Sequence, residues 1–257
     1  MTPLPASTDT AAAPLLLLHG LGFSARYWQR QMPALGTERR LLGWTMPGHG
    51  GTAPLPGMTF AALSGRLVRF LDQSGAEKAD ILGHSMGGML ALDFAARHPD
   101  RVRSLMLFGA SAAFPPPESD FAKNFIAETL APLESGGTMA DVASATIARH
   151  IAPDADPEAA GLIRACLAET TPAAFRQTLA CLATFDRRAS LGGLAMPTLV
   201  LAARNDLNAP AAGVEKMAAK IPGARYHCLE AAGHFAHLER PEAFTAAITE
   251  FLASLKA

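Results

Sequence analysis

One serine stands between two glycines in Gly83-His84-Ser85-Met86-Gly87, after the apolar run "ADIL" and before "MGGMLALDFAARHP". Glycines two residues before and after Ser85 let the backbone turn sharply from a strand into a helix, which lifts the hydroxyl clear of a sheet edge. A neutral hydroxyl is a poor nucleophile and needs a neighbouring base. Of the eight histidines, His234 follows the last apolar run and precedes the final helical pattern, in a loop that can reach back over a sheet. His237 reads as structural, His84 as pointing away from Ser85, and His98 as a helix-end residue. His150 and His227 read as surface or core side chains. Asp206 ends "PTLVLAARND" and would hold the imidazole of His234; read alone, it is a turn or capping residue. Asp93 and Asp186 read as solvated. The motif "HGLG" (His19 to Gly22) follows the first strong apolar run. There the backbone N–H of Leu21 would converge with that of Met86 on a developing oxyanion. Those two assignments rest on position alone, and His19 reads as a residue that fixes the loop. The chemistry expected of such a set is acyl transfer to water.

The elements that must position these groups alternate along the chain. Short apolar runs ("PLLLL", "RRLLGW", "ADILGHS", "VRSLMLFGA", "MPTLVLAA", "ARYHCLEAAG") are separated by helical patterns. Among the latter, "TFAALSGRLVRFLDQSG" places Phe60, Leu63, Leu67, Val68 and Leu71 at helical spacing. "ARYWQRQMPAL" reads as one more helix. Continuous apolar strands between helices predict an α/β fold with a mostly parallel sheet covered on both faces. Residues 112–190 break the rhythm. After "AAFPPPESD" come about four helical patterns, punctuated by Pro and Gly, and no convincing strand. The expected organisation is a core of residues 1–111 and 191–257, with residues 112–190 as a helical cap over the strand ends.

The 257 residues are 49% apolar and 18% charged, with a formal net charge of -1. A near-neutral balance without basic clusters argues against nucleic acid or an anionic membrane as the main partner. No run approaches the roughly 18–20 apolar residues that span a bilayer. The apolar stretch near the N-terminus lacks a basic flank and reads as a core strand rather than a signal peptide. Three widely spaced cysteines do not suggest a disulfide framework, and a cytoplasmic location is expected. His and Cys lack the close spacing of metal ligands, so no metal or organic cofactor is implied.

With "LLLLHGLG", "MPGHGGT", "GHSMGG", "PTLVLAARNDLNAP" and "AAGHFAHLERPEAF" in the order Ser, Asp, His, the chain resembles the α/β-hydrolase superfamily over nearly its whole length. Within it the chain looks most like small bacterial esterases and lactonases, of the pimeloyl-carrier-protein methyl ester esterase and 3-oxoadipate enol-lactonase kinds. The resemblance implies an α/β-hydrolase fold with a helical lid after the sixth strand of the family's sheet, matching residues 112–190. It implies Ser85, Asp206 and His234 as catalytic residues acting through an acyl-enzyme, and Leu21 and Met86 as oxyanion donors. The substrate expected is a small ester or lactone, free or borne on a carrier protein, and the protein is expected to be a monomer or homodimer. Hydrolysis of a carbon–carbon bond is the alternative, as is ligand binding with little turnover. Relatives usually carry Asp where Thr45 stands and Gly where Ala203 stands, so the loop around His49 is expected to differ. Only thirteen residues precede "PLLLLHG", so the usual antiparallel N-terminal strands are expected to be short or absent. Apolar lid residues, Phe125 among them, are enough to roof a pocket, and Arg176 is the first candidate to meet a substrate carboxylate.

Overall fold

A run of four leucines has no polar face, so it can serve only as a strand buried on both sides. In a computed structural model, which describes residues 12–152 and 154–255, that run is β1 (Leu15–Leu18), and all four residues are buried. With β2 (Leu41–Trp44), β3 (Ala79–His84), β4 (Val102–Phe108), β5 (Thr198–Ala203) and β6 (Arg225–Leu229) it forms one six-stranded sheet of order β2-β1-β3-β4-β5-β6. Every neighbouring pair is parallel. The edge strand β6 alternates exposed and partly buried residues along Arg225–Cys228, as a strand with one open side should.

The pleat sends alternate residues to opposite faces. Leu16 and Leu18 join one apolar core and Leu15 and Leu17 the other. Between β1 and β2 lie a 3-10 turn (Ala25–Trp28) and the short α1 (Met32–Leu35). The single helix expected over this stretch is therefore broken in two. Pro33 falls at the start of α1, where its missing N–H is tolerated; inside one continuous helix it would remove a hydrogen bond and crowd the preceding turn. The first core is closed by α2 (Phe60–Gln73), through Leu63, Leu67 and Leu71, and by α3 (Met86–Arg97), through Leu90 and Phe94.

Between β4 and β5 run α4 (Asp120–Glu134), α5 (Met139–His150), α6 (Pro157–Ala168) and α7 (Pro172–Leu182). Each has a side-chain cap: Ser119 accepts from Ala122 N, Thr138 closes a capping box with Asp141, Asp156 accepts from Glu158 N, and Thr171 accepts from Ala174 N. Pro157 and Pro172 follow two of these caps at the first helical position, where φ is already suitable. The chain leaves and rejoins the sheet side by side. Phe114 N donates to Phe185 O at 2.8 Å and Arg187 N to Ala112 O at 2.7 Å. Beyond β5 come α8 (Ala211–Ala218), the short α9 (Ala236–Glu239) and α10 (Pro241–Ser254), whose Phe244 and Ile248 pack in the second core. The expectation about strands ahead of Pro14 falls on residues 1–11 and lies outside the described residues. Among the described residues, no helix is long and apolar enough to cross a membrane.

Candidate active site

The turn from β3 into α3 brings backbone hard against backbone. A Cβ on Gly83 would lie 2.3 Å from Gly87 O, and one on Gly87 would lie 2.3 Å from Leu18 O. Only hydrogen fits at either position. Between them Ser85 takes φ 54° and ψ -123°, a conformation unfavourable for a residue with a side chain, at a cost of about 1–3 kcal/mol. Ser85 N donates to Phe108 O at 2.9 Å, which pins the strained residue to the neighbouring strand.

Two loops at the carboxyl ends of β5 and β6 bring the other groups to this hydroxyl. His234 Nε2 lies 3.0 Å from Ser85 Oγ, and His234 Nδ1 lies 2.8 Å from Asp206 Oδ2. A carboxylate can only accept from the ring, so Nδ1 carries the proton and Nε2 is left to accept from the serine hydroxyl. The other carboxylate oxygen of Asp206 accepts from Asn208 N at 2.8 Å and Ala209 N at 2.9 Å, which fixes its plane. All three side chains arrive at strand ends, where catalytic groups of open α/β sheets gather.

Beneath them lies a buried polar layer. His84 Nε2 donates to His234 O at 2.7 Å, so its Nδ1 accepts from Tyr27 Oη at 3.0 Å. Burial, and then the neighbouring His234 and His237, hold the His84 ring well below its usual pKa and keep it neutral. Its side chain thus turns away from the serine, as expected from the turn. His19 does tie loops together: Met46 N donates to its Nε2 at 2.9 Å and its Nδ1 donates to Gly20 O at 2.8 Å, while burial lowers its pKa to about 3. Thr45 accepts from Ala25 N at 3.0 Å, so a hydroxyl serves where relatives were expected to hold a carboxylate.

Leu21 lines the cavity above Ser85, and Met86 opens α3 with its N–H in the first turn, where no intrahelical acceptor exists. The two segments touch: a Cβ on Gly20 would lie 3.3 Å from Ser85 Cβ. The cavity is small, about 80 Å³. Apolar lining comes from Leu21, Phe23, Leu167, Phe175 and Phe235, with Phe125 and Leu182 contributing from α4 and α7, and polar lining from Asn208, from Thr129 on α4 and from Thr146, Arg149 and His150 on α5.

Two expectations are corrected here. Arg176 does not line the cavity; it pairs with Glu134 across α7 and α4. Asp93 is not solvated but 1% exposed, and it accepts from Ser64 Oγ at 2.5 Å, Arg97 Nε at 2.8 Å and Arg187 Nε at 2.7 Å. Asp186 is exposed and bound to Arg188. His150, which reads in the sequence as a surface or core side chain, lines the cavity, because only the folding of α5 brings it there.

The profile of the "Alpha/beta hydrolase family" matches residues 15–247. The chain belongs to the alpha/beta hydrolase family. This hydrolase is 33% identical to the pimeloyl-[acyl-carrier protein] methyl ester esterase of Aromatoleum aromaticum, over 89% of its own length and 93% of that protein's. Its structure resembles the enol-lactonase of Burkholderia xenovorans LB400, with a TM-score of 0.86 and 28% identity over 96% of this chain and 94% of that one. A thermophilic esterase from Thermogutta terrifontis superposes with a TM-score of 0.85 and 28% identity, covering 96% and 92%.

Proposed function

We propose that this hydrolase is a serine carboxylic ester hydrolase that cleaves a small ester or lactone through an acyl-enzyme. The reading rests on one observation, the unbroken hydrogen-bond chain from Asp206 through His234 to a strained Ser85 at the mouth of a cavity. His234 Nε2 takes the hydroxyl proton as Ser85 Oγ attacks the ester carbonyl, and Asp206 stabilises the imidazolium. The tetrahedral oxyanion rests against the N–H groups of Leu21 and Met86. The C–O bond to the alcohol then breaks, and the departing oxygen takes the proton from His234. Water, deprotonated by the same ring, releases the acid and restores Ser85.

In this reading residues 112–190 form a lid, which supplies cavity walls from α4 to α7, and residues 1–111 and 191–257 form the core that carries the reacting groups. A cavity of about 80 Å³ suits a short ester; a larger or carrier-borne one requires the lid helices to move. The esterases and the lactonase among the similar proteins support the ester over other bonds. The test is Ser85→Ala assayed on p-nitrophenyl acetate, together with fluorophosphonate labelling of the parent. Turnover should fall by about 10⁴–10⁶-fold, the scale of comparable triads, and the label should map to Ser85. Full activity in Ser85→Ala would overturn the assignment.

A further inference from the structure

The reaction itself defines a direction in the cavity. The oxygen that leaves must collect its proton from His234 Nε2, so the alcohol portion of the ester lies on the side of the His234 ring. From the lid, the ring of His150 comes within 6.1 Å of it, centroid to centroid. The end of α5 is seated on the base's own loop: a Cβ on Gly233 would lie 3.2 Å from His150 O. Neither ring nitrogen of His150 has a hydrogen-bond partner among the described residues, although the ring is only partly exposed and faces the cavity.

We propose that His150 is a specificity-determining residue that hydrogen-bonds a neutral polar substituent, a hydroxyl or keto oxygen, on the alcohol portion of the substrate. The inference rests on the reading of Ser85, His234 and Asp206 given above. Two further observations give the substituent its neutrality. Arg149 is the one Lys, Arg, Asp or Glu side chain on the described cavity lining, and its ion pair with Glu128 of α4 offsets its charge, so the lining carries no net cationic excess to favour an anion. Burial, followed by the nearby His234 and Arg149, pushes the His150 pKa down to about 4, which leaves the ring uncharged near neutral pH. A neutral imidazole offers one N–H and one lone pair, the complement of a hydroxyl. Thr146, one turn earlier on the same face, spends its proton on Val142 O at 2.8 Å and keeps acceptor capacity towards the same space.

The test compares kcat/KM for 2-hydroxyethyl acetate and propyl acetate, which differ by OH against CH₃ at the end of the alcohol. Ethyl 3-hydroxypropanoate and ethyl butanoate place the same difference on the acyl side, and carboxymethyl acetate adds an anionic alcohol; released acid is titrated at constant pH. In His150→Phe the hydroxyethyl-to-propyl ratio should fall about fivefold or more, the scale of one net neutral hydrogen bond. His150→Asn should restore part of it, and the acyl pair's ratio should stay within about twofold. His150→Leu is read in the same way if the larger ring fails to fold. An alcohol-pair ratio that stays within twofold overturns the inference, as does a change confined to the acyl pair or a parent preference for carboxymethyl acetate. Ser85→Ala is run on the same esters. If it still turns them over, the proposed function fails; if it is inactive while the ratio is unmoved by His150 variants, only this inference fails.

Discussion

Gly87→Ala tests the geometry at its narrowest point. The added methyl would lie 2.3 Å from Leu18 O, 2.5 Å from His19 O and 2.6 Å from Leu18 C, all backbone atoms that no rotamer change can move. Restoring ordinary contact requires the start of α3 to retreat from the end of β1 by about 1 Å, a misplacement that costs about 10²-fold in rate when it falls between reacting groups. The same retreat parts the Met86 N–H from the Leu21 loop, and loss of one oxyanion donor costs about 10²–10³-fold in kcat. The expected result is a kcat on p-nitrophenyl acetate lower by about 10²–10³-fold, with KM changed far less and a stability loss of about 1–3 kcal/mol from overpacking. Gly161→Ala on α6 is the control. Its added methyl meets nothing within 4 Å, so kcat should hold and stability should rise by about 0.5–1 kcal/mol. Stopped-flow kinetics and urea titration of the three proteins decide it. A Gly87→Ala variant that turns over within threefold of the parent would refute the close-approach argument and with it the placing of the Met86 donor.

Asp206→Asn should leave the fold intact and lower kcat by about 10³–10⁴-fold, because an amide no longer holds the tautomer that frees His234 Nε2; near-parental kcat would remove Asp206 from the mechanism. Acid should destabilise the protein below pH 6.5. His19 and His49 are lowered to about 3 and about 4 by burial, so the unfolded chain binds more protons in that window and stability falls with pH. Each ring that stays neutral at pH 5 costs about 2 kcal/mol relative to neutral pH, and equal urea midpoints at pH 7.5 and pH 5 would contradict this. Asp93→Ala leaves the buried Ser64 hydroxyl and the partly exposed Arg187 and Arg97 without their shared acceptor, so chemical denaturation should show a loss of about 1–3 kcal/mol, and a loss under about 0.5 kcal/mol would show the cluster to be idle.

Features decided by the local chain were legible in the sequence. Leu15–Leu18 could be read as a central strand because a parallel strand has no polar face, and α4 to α7 because each opens on Ser, Thr or Asp, two of them with Pro next. Ser85 could be found because close backbone approach demands glycine at 83 and 87. The break between Ala25–Trp28 and α1 had a visible signal in Pro33, outweighed by the apolar spacing around it. Asp93 was misjudged because its partner Arg187 comes 94 residues later, although Arg97, one turn on, was in view. Arg176 was misjudged for the same reason: Glu134, from another helix, reaches it first. His150 carries no local signature, since its position depends on where the end of α5 comes to rest against Gly233.

The bond from the His84 ring to the carbonyl of His234 spans 150 residues of chain and joins the peptide beside Ser85 to the peptide that bears the imidazole. Hydroxyl and imidazole therefore ride on one strut. The 3.0 Å gap between them is thus held from two sides, by the Ser85 backbone and by the carbonyl of the residue that carries the ring. A side chain that replaced His84 would have to donate to that distant carbonyl, accept from Tyr27 and stay uncharged, three demands that imidazole meets at once.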